Sequence, residues 1–119
     1  MLEMSEYIDA YRRRAKEAQE ATERRAAKAQ EAALRCAKKL VEEFGVSRVW
    51  LFGSLAEGYF RFDSDIDLVV EGLAPARYFR ASAQISRMAG EFEVDLIPWE
   101  SYRYKAEVEE KGRLLYEAR

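Results

Sequence analysis

The sequence predicts an α/β (α+β) fold, in which a long N-terminal helix precedes a small mixed β-sheet with helices on one face. Residues 1–44 contain neither glycine nor proline and are rich in strong helix formers. After Gly45, short β-rich runs alternate with helical stretches, which is the order expected of a small sheet covered by helices. Apolar residues make up 49% of the 119-residue chain, enough for the core of one domain.

The N-terminal helix is predicted over about residues 5–44, with Ser5 as N-cap and Gly45 as the C-terminal stop. Small or apolar residues recur in steps of three and four, which is the seam of an amphipathic helix. The seam residues are Tyr7, Tyr11, Ala15, Ala18, Thr22, Ala26, Ala29, Ala33, Cys36, Leu40 and Phe44. A helix of this length is roughly 60 Å long, about twice the width of the globule that the remaining residues can form. Two interpretations stay open: a surface for a partner or a second copy of the chain, or an exposed, charged helix.

The remaining elements follow from local pattern and from glycine and proline positions. We expect one compact domain over residues 45–119, preceded by a helical extension over residues 1–44. The predicted strands are 46–52, 66–70 (or 65–70) and 92–97; a helical turn is predicted at 55–59, helices at 75–89 and 100–110, and a short tail at 114–116. Pro75 suits the first turn of its helix and Gly90 the position after its end.

Composition excludes several classes of function. The net charge is −2, from 20 basic and 22 acidic residues, so no generally basic nucleic-acid surface is expected. We expect no membrane span and no signal segment, and the single cysteine fits a reducing cytoplasm. The chain has no histidine, which excludes Ser-His-Asp and Cys-His catalysis and histidine zinc sites. Any chemistry must therefore use carboxylates, hydroxyls, cations or a bound metal.

A Gly-Ser pair follows the first predicted strand, at the point where the chain turns into a helical segment. Gly53 has no Cβ, so its backbone can approach an anion closely. The Ser54 hydroxyl and the amides that open the next helix can donate hydrogen bonds to a phosphate. An isolated Gly-Ser pair is far more often a simple turn, so the phosphate interpretation depends on the residues that accompany it.

Three aspartates lie in or beside predicted strands. On a strand, Asp65 and Asp67 share one face, and their mutual repulsion favours a bound divalent cation, with Mg²⁺ the first candidate. Asp95 lies between Val94 and Leu96, where burial is costly unless the carboxylate is paired or binds a metal. If the two strands are neighbours, the acids form a two-metal site with ions about 3.5–4 Å apart. Glu93 is two residues before Asp95, on the same face of the predicted strand, and is a weaker candidate. An isolated Asp-x-Asp is most often a solvated strand edge or a helix cap.

Gly53-Ser54, ten further residues, Asp65-Ile66-Asp67, and Asp95 on a later strand together resemble the nucleotidyltransferase superfamily typified by DNA polymerase β. The likeness covers residues 46–119. In its compact form the chain is similar to the minimal nucleotidyltransferases that act as antitoxins beside HEPN toxins. This likeness implies that Gly53 and Ser54 hold the triphosphate of ATP and that Asp65 and Asp67 bind two Mg²⁺ ions. It also implies that Asp95 binds the metal beside the acceptor hydroxyl and helps to deprotonate it. The implied reaction is AMPylation of a tyrosine on the partner toxin, with loss of pyrophosphate.

One residue departs from the pattern of these relatives. Glu57 stands where many of them have an arginine, which weakens the expectation of tight triphosphate binding unless Arg61 compensates. A second hypothesis is therefore a catalytically weak or inactive nucleotidyltransferase-fold module that neutralises its partner by binding. A third is transfer to a small molecule such as an aminoglycoside, which is disfavoured because no second domain shapes a pocket.

Overall fold

The computed structural model describes residue 1 and residues 3–118, and it contains four helices and four strands. The elements in chain order are α1 (Met4–Phe44), β1 (Arg48–Phe52), α2 (Ser54–Glu57), β2 (Ile66–Glu71), α3 (Tyr78–Ala89), β3 (Val94–Pro98), α4 (Lys105–Lys111) and β4 (Arg113–Glu117). Short 3₁₀ turns at Pro75–Arg77 and Trp99–Ser101 precede α3 and the segment leading into α4. The predicted tail at 114–116 is part of a strand, β4.

The four strands form one mixed sheet in the order β3-β2-β1-β4. Strand β1 pairs antiparallel with both β2 and β4, whereas β2 and β3 are parallel. A parallel pair needs a crossover connection, and α3 provides it. The mixed sheet and the long first helix confirm the predicted fold class.

Helix α1 is 41 residues long and makes the molecule elongated, with extents of 65 × 29 × 23 Å. The helix ends at Gly45 as predicted, and the Gly45 amide donates to the carbonyl oxygens of Leu40 and Val41. The N-cap prediction was wrong. Glu3 occupies that position without a side-chain cap, and Ser5 lies inside the first turn.

The two halves of α1 have different surroundings. The second half is buried in the main core, through Ala29, Ala32, Ala33, Cys36, Ala37, Leu40 and Phe44. The first half, residues 4–24, is here called the arm; its side chains are exposed apart from the half-exposed Ala10. The apolar seam therefore continues along the helix, but from Ala29 onward it packs against the sheet and α3 of the same chain.

Alternation along the strands divides the side chains between two faces of the sheet. One face packs against α1 and α3, and it includes Ile66, Leu68 and Val70, as the sequence predicted. On the second face, Trp50 and Val69 are buried under Val108 of α4, so helices lie on both faces of the sheet and not on one face as predicted. No helix among the described residues combines the length and apolar character needed to cross a bilayer.

Candidate active site

Two of the three predicted aspartates are neighbours on the second face of the sheet. Asp67 is the register partner of Asp95 on the parallel strand β3 and of Phe52 on the antiparallel strand β1. These three residues lie side by side on three adjacent strands, which are spaced about 4.8 Å apart. They are here called the acid row, after the two aspartates among them. Asp65 is exposed and lies one residue before β2 begins. The strands that carry Asp67 and Asp95 are therefore adjacent, as the convergence of the acids requires.

The Asp67 carboxyl is influenced by the negative charges of the other two aspartates. Partial burial, together with the negative charges of Asp95 and Asp65, raises the pKa of the Asp67 carboxyl to about 6. Asp65 and Asp95 themselves are exposed. Asp67 is thus a half-buried carboxylate with two acidic neighbours, at one end of the sheet.

The Gly53 turn lies directly against Asp67. Gly53 has φ 76° and ψ −152°, a backbone conformation that residues with a side chain rarely adopt. A Cβ at this position would overlap the Oδ2 atom of Asp67. Glycine therefore suits both the positive φ of the turn and the close approach of the carboxylate. The turn places Ser54, half-exposed at the start of α2, beside the acid row.

The chemistry of these donors fits a hard divalent cation. Three carboxylates supply the oxygen ligands that Mg²⁺ prefers, and none of the ion pairs within the described residues neutralises them. They do not form a ready-made cage, since the described residues contain no group of three or more acidic, cysteine or histidine side chains gathered closely enough to hold a metal. The charge and ligand type fit a metal, whereas the side-chain positions are not those of a preassembled metal site.

Two arginines each line a hollow beside α1. Arg61 lines a hollow with Ala21, Thr22, Arg25 and Phe62, beside the arm. Arg113, at the start of β4, lines a neighbouring hollow with Glu57. Its guanidinium donates to the Gln30 side-chain oxygen at 3.3 Å. Arg113 was not among the predicted site residues, because nothing in the sequence indicates that β4 pairs beside the end of β1.

Tyr102 is a second neighbour of the acid row that sequence reasoning missed. Its ring packs edge-to-face on Phe52, with centroids 6.4 Å apart. Partial burial raises the pKa of the Tyr102 hydroxyl, and the negative charges of Glu107, Asp67 and Asp95 add to the effect. Tyr102 is separated from Asp67 by 34 residues, and a lone tyrosine after a predicted strand carries no signal of this proximity.

Comparison with known families agrees with this arrangement. Residues 35–119 match the family model described as Polymerase beta, Nucleotidyltransferase. The chain belongs to this nucleotidyltransferase family. The match begins inside α1 and includes the whole acid row and the Gly53 turn. No curated protein matches this nucleotidyltransferase.

Solved structures share the fold of this nucleotidyltransferase. A chain in the crystal structure of a toxin–antitoxin with AMP-PNP is 22% identical, with a TM-score of 0.60 over 72% of this chain and 74% of that chain. A chain in the crystal structure of the toxin–antitoxin MntA-HepT is 21% identical, with a TM-score of 0.55 over 75% and 73%. The same values describe a chain in the tri-AMPylated Shewanella oneidensis HEPN toxin in complex with MNT antitoxin. The resemblance to nucleotidyltransferase antitoxins is confirmed at the level of fold.

Proposed function

We propose that this nucleotidyltransferase transfers AMP from ATP to a hydroxyl group of a HEPN-type toxin and so acts as its antitoxin in the cytoplasm. The observation that carries the proposal is the position of Asp67, which lies between Asp95 and the Gly53 turn. The fold neighbours support the choice of nucleotide and partner, because one complex contains AMP-PNP and another contains an AMPylated HEPN toxin.

Each part of the site has a separate role in this proposal. The Gly53 turn and the Ser54 hydroxyl bind the triphosphate, because backbone can approach closely where no Cβ intervenes. Asp65, Asp67 and Asp95 would hold the magnesium ions, two in number, which supply electrostatic stabilisation of the phosphates and the acceptor oxygen. Asp95, at the exposed edge of the sheet, accepts the proton of the incoming hydroxyl. The new bond joins the acceptor oxygen to the α-phosphorus, and pyrophosphate leaves.

The test is to incubate the chain with ATP, Mg²⁺ and a HEPN-type toxin encoded by the neighbouring gene. The intact mass of the toxin is then measured. The wild type is expected to add adenylyl groups, whereas Asp67→Asn and Asp95→Asn add none. Asp63→Asn is the matched control, because Asp63 is an exposed acid outside the acid row and should leave transfer intact. A toxin whose mass stays unchanged with the wild-type chain defeats the proposal.

A second candidate function is neutralisation of the toxin by binding alone. Two observations favour it: Glu57 is exposed on α2 in place of the usual arginine, and the three acids are not gathered into a metal cage. The partner surface in this case is the arm, where Met4, Tyr7 and Tyr11 are exposed. Binding alone predicts that Asp67→Asn still rescues growth of cells that express the toxin, and that removal of the arm abolishes rescue.

The arm is also the surface proposed for self-association. A second copy of the chain or the toxin would cover the same exposed residues. Sedimentation of the chain alone and with the toxin separates the two occupants, because the masses of the resulting complexes differ.

A further inference from the structure

Tyr102 brings a phenol hydroxyl to the same sheet face as the acid row. We propose that Tyr102 is a nucleotide acceptor in its own chain, so that without a partner the protein transfers AMP to itself. This inference rests on the proposed nucleotidyl transfer and adds a modification site to it.

The position of Tyr102 is set by contacts with the acid row. Its ring packs edge-to-face on Phe52, at 6.4 Å between centroids and an interplanar angle of 74°. Phe52 is the register partner of Asp67, and Asp67 is the register partner of Asp95. An acceptor for this site must bring a hydroxyl to these two carboxylates.

The chain has seven tyrosines, and four of the other six differ from Tyr102 in position as follows. The Tyr78 hydroxyl donates to the Leu96 carbonyl at 2.7 Å and is engaged there. Tyr7 and Tyr11 lie on the arm, in the first half of α1. Tyr104 packs on Tyr102, with ring centroids 5.5 Å apart, and is 45% exposed. Tyr104 is therefore the natural control: a tyrosine in the same segment that contacts Tyr102.

The Tyr102 side chain is carried by a connecting segment and not by a strand of the sheet. Tyr102 lies in the connection between the Trp99–Ser101 turn and α4, outside any helix or strand. Its side chain is half-exposed. A phenol held on a connecting segment can adjust its position more easily than one fixed within a strand of the sheet.

The reaction follows the chemistry proposed for the partner. A lone pair of the Tyr102 hydroxyl oxygen attacks the α-phosphorus of ATP and forms a new P–O bond. The bond from the α-phosphorus to the bridging oxygen breaks, and pyrophosphate leaves with that electron pair. The phenol proton passes to a carboxylate of the acid row. ATP supplies the nucleotide, no oxidation or reduction is involved, and the product is a phosphodiester on Tyr102.

The test is incubation of the purified full chain with ATP and Mg²⁺, without toxin, followed by intact mass and peptide mapping. We expect one adenylyl group on the peptide that contains Tyr102, in the wild type and in Tyr104→Phe, and none in Tyr102→Phe. The modified fraction at a given time should not depend on protein concentration, because the transfer occurs within one chain.

A parallel reaction with the HEPN-type toxin separates failure of this inference from failure of the proposed function. If the wild type adenylylates the toxin but stays unmodified, or carries the label at another residue, Tyr102 is not an acceptor and the proposed function stands. If neither the toxin nor the chain gains mass, both are overturned.

Discussion

Asp67 and Asp95 are register partners on neighbouring parallel strands, and both project from the sheet face opposite α1 and α3. Backbone pairing therefore keeps two carboxylates side by side, whatever their mutual repulsion. Without a bound cation, the repulsion between these carboxylates destabilises the folded protein. A bound cation or a proton reduces this repulsion. The stability of the fold should consequently respond to pH and to divalent cations at this one place.

Asp67→Asn should stabilise the cation-free protein at neutral pH. The folded-state pKa of Asp67 is about 6, above its ordinary 3.8, so the folded chain holds this proton more tightly than the unfolded chain. The contribution of this group to the free energy of unfolding is fully present below about pH 4, and it is lost as the pH rises through about 6. The expected gain at pH 7 is on the order of 1–3 kcal/mol. Urea unfolding at several pH values measures it, and a gain that is equal at pH 4 and pH 7 would rule out this origin.

Mg²⁺ should raise the melting temperature of the wild type. A ligand that binds the folded state alone stabilises it in proportion to the logarithm of its concentration over its dissociation constant. Asp67→Asn removes a central carboxylate and should respond much less, whereas Asp63→Asn should behave as the wild type. Thermal unfolding with and without Mg²⁺ measures the effect. Equal responses in wild type and Asp67→Asn would show that the cation binds elsewhere.

Gly53→Ala should cost more stability than Gly58→Ala. Both glycines have positive φ, so both substitutions introduce backbone strain of about 1–3 kcal/mol. At Gly53 the new Cβ would also overlap the Asp67 carboxylate, whereas at Gly58 no atom lies within 4 Å of it. The difference between the two variants in urea unfolding isolates the contact with Asp67. Equal losses would mean that the turn does not constrain the acid row.

Leu40→Ala should destabilise the fold by about 2–5 kcal/mol, because the side chain is fully buried and its removal leaves a cavity. Leu34→Ala is the matched change on the same helix, where the side chain is 55% exposed, and it should cost far less. Chemical denaturation of both variants compares them. If the two losses were equal, the second half of α1 would not be part of the core.

Much of the acid row could be predicted from sequence, because it depends on local rules. Side-chain alternation places Asp67 opposite Ile66 and Leu68 in any strand. The residue type of Gly53 and its place after a strand predict a turn there. The contact between Gly53 and Asp67 could not be predicted, since it depends on which strands pair and in which register.

The role of α1 shows a second limit of sequence reasoning. A seam of small residues indicates which face of a helix is apolar, but not what covers that face. Ala29 and Cys36 are covered by the chain's own core, whereas the equivalent seam residues of the arm are exposed. The helical pattern is continuous across this boundary, because the same spacing serves both surroundings.

The rate of pyrophosphate release in the presence of ATP, Mg²⁺ and the HEPN-type toxin tests the acid row most directly. Asp95 is exposed, so Asp95→Asn should fold normally. It should lose activity by about 100-fold or more, because in the proposed mechanism Asp95 accepts the proton of the acceptor hydroxyl. Asp63→Asn should keep the wild-type rate. Release at the wild-type rate by Asp95→Asn would contradict the assignment of the acid row as the site of nucleotidyl transfer.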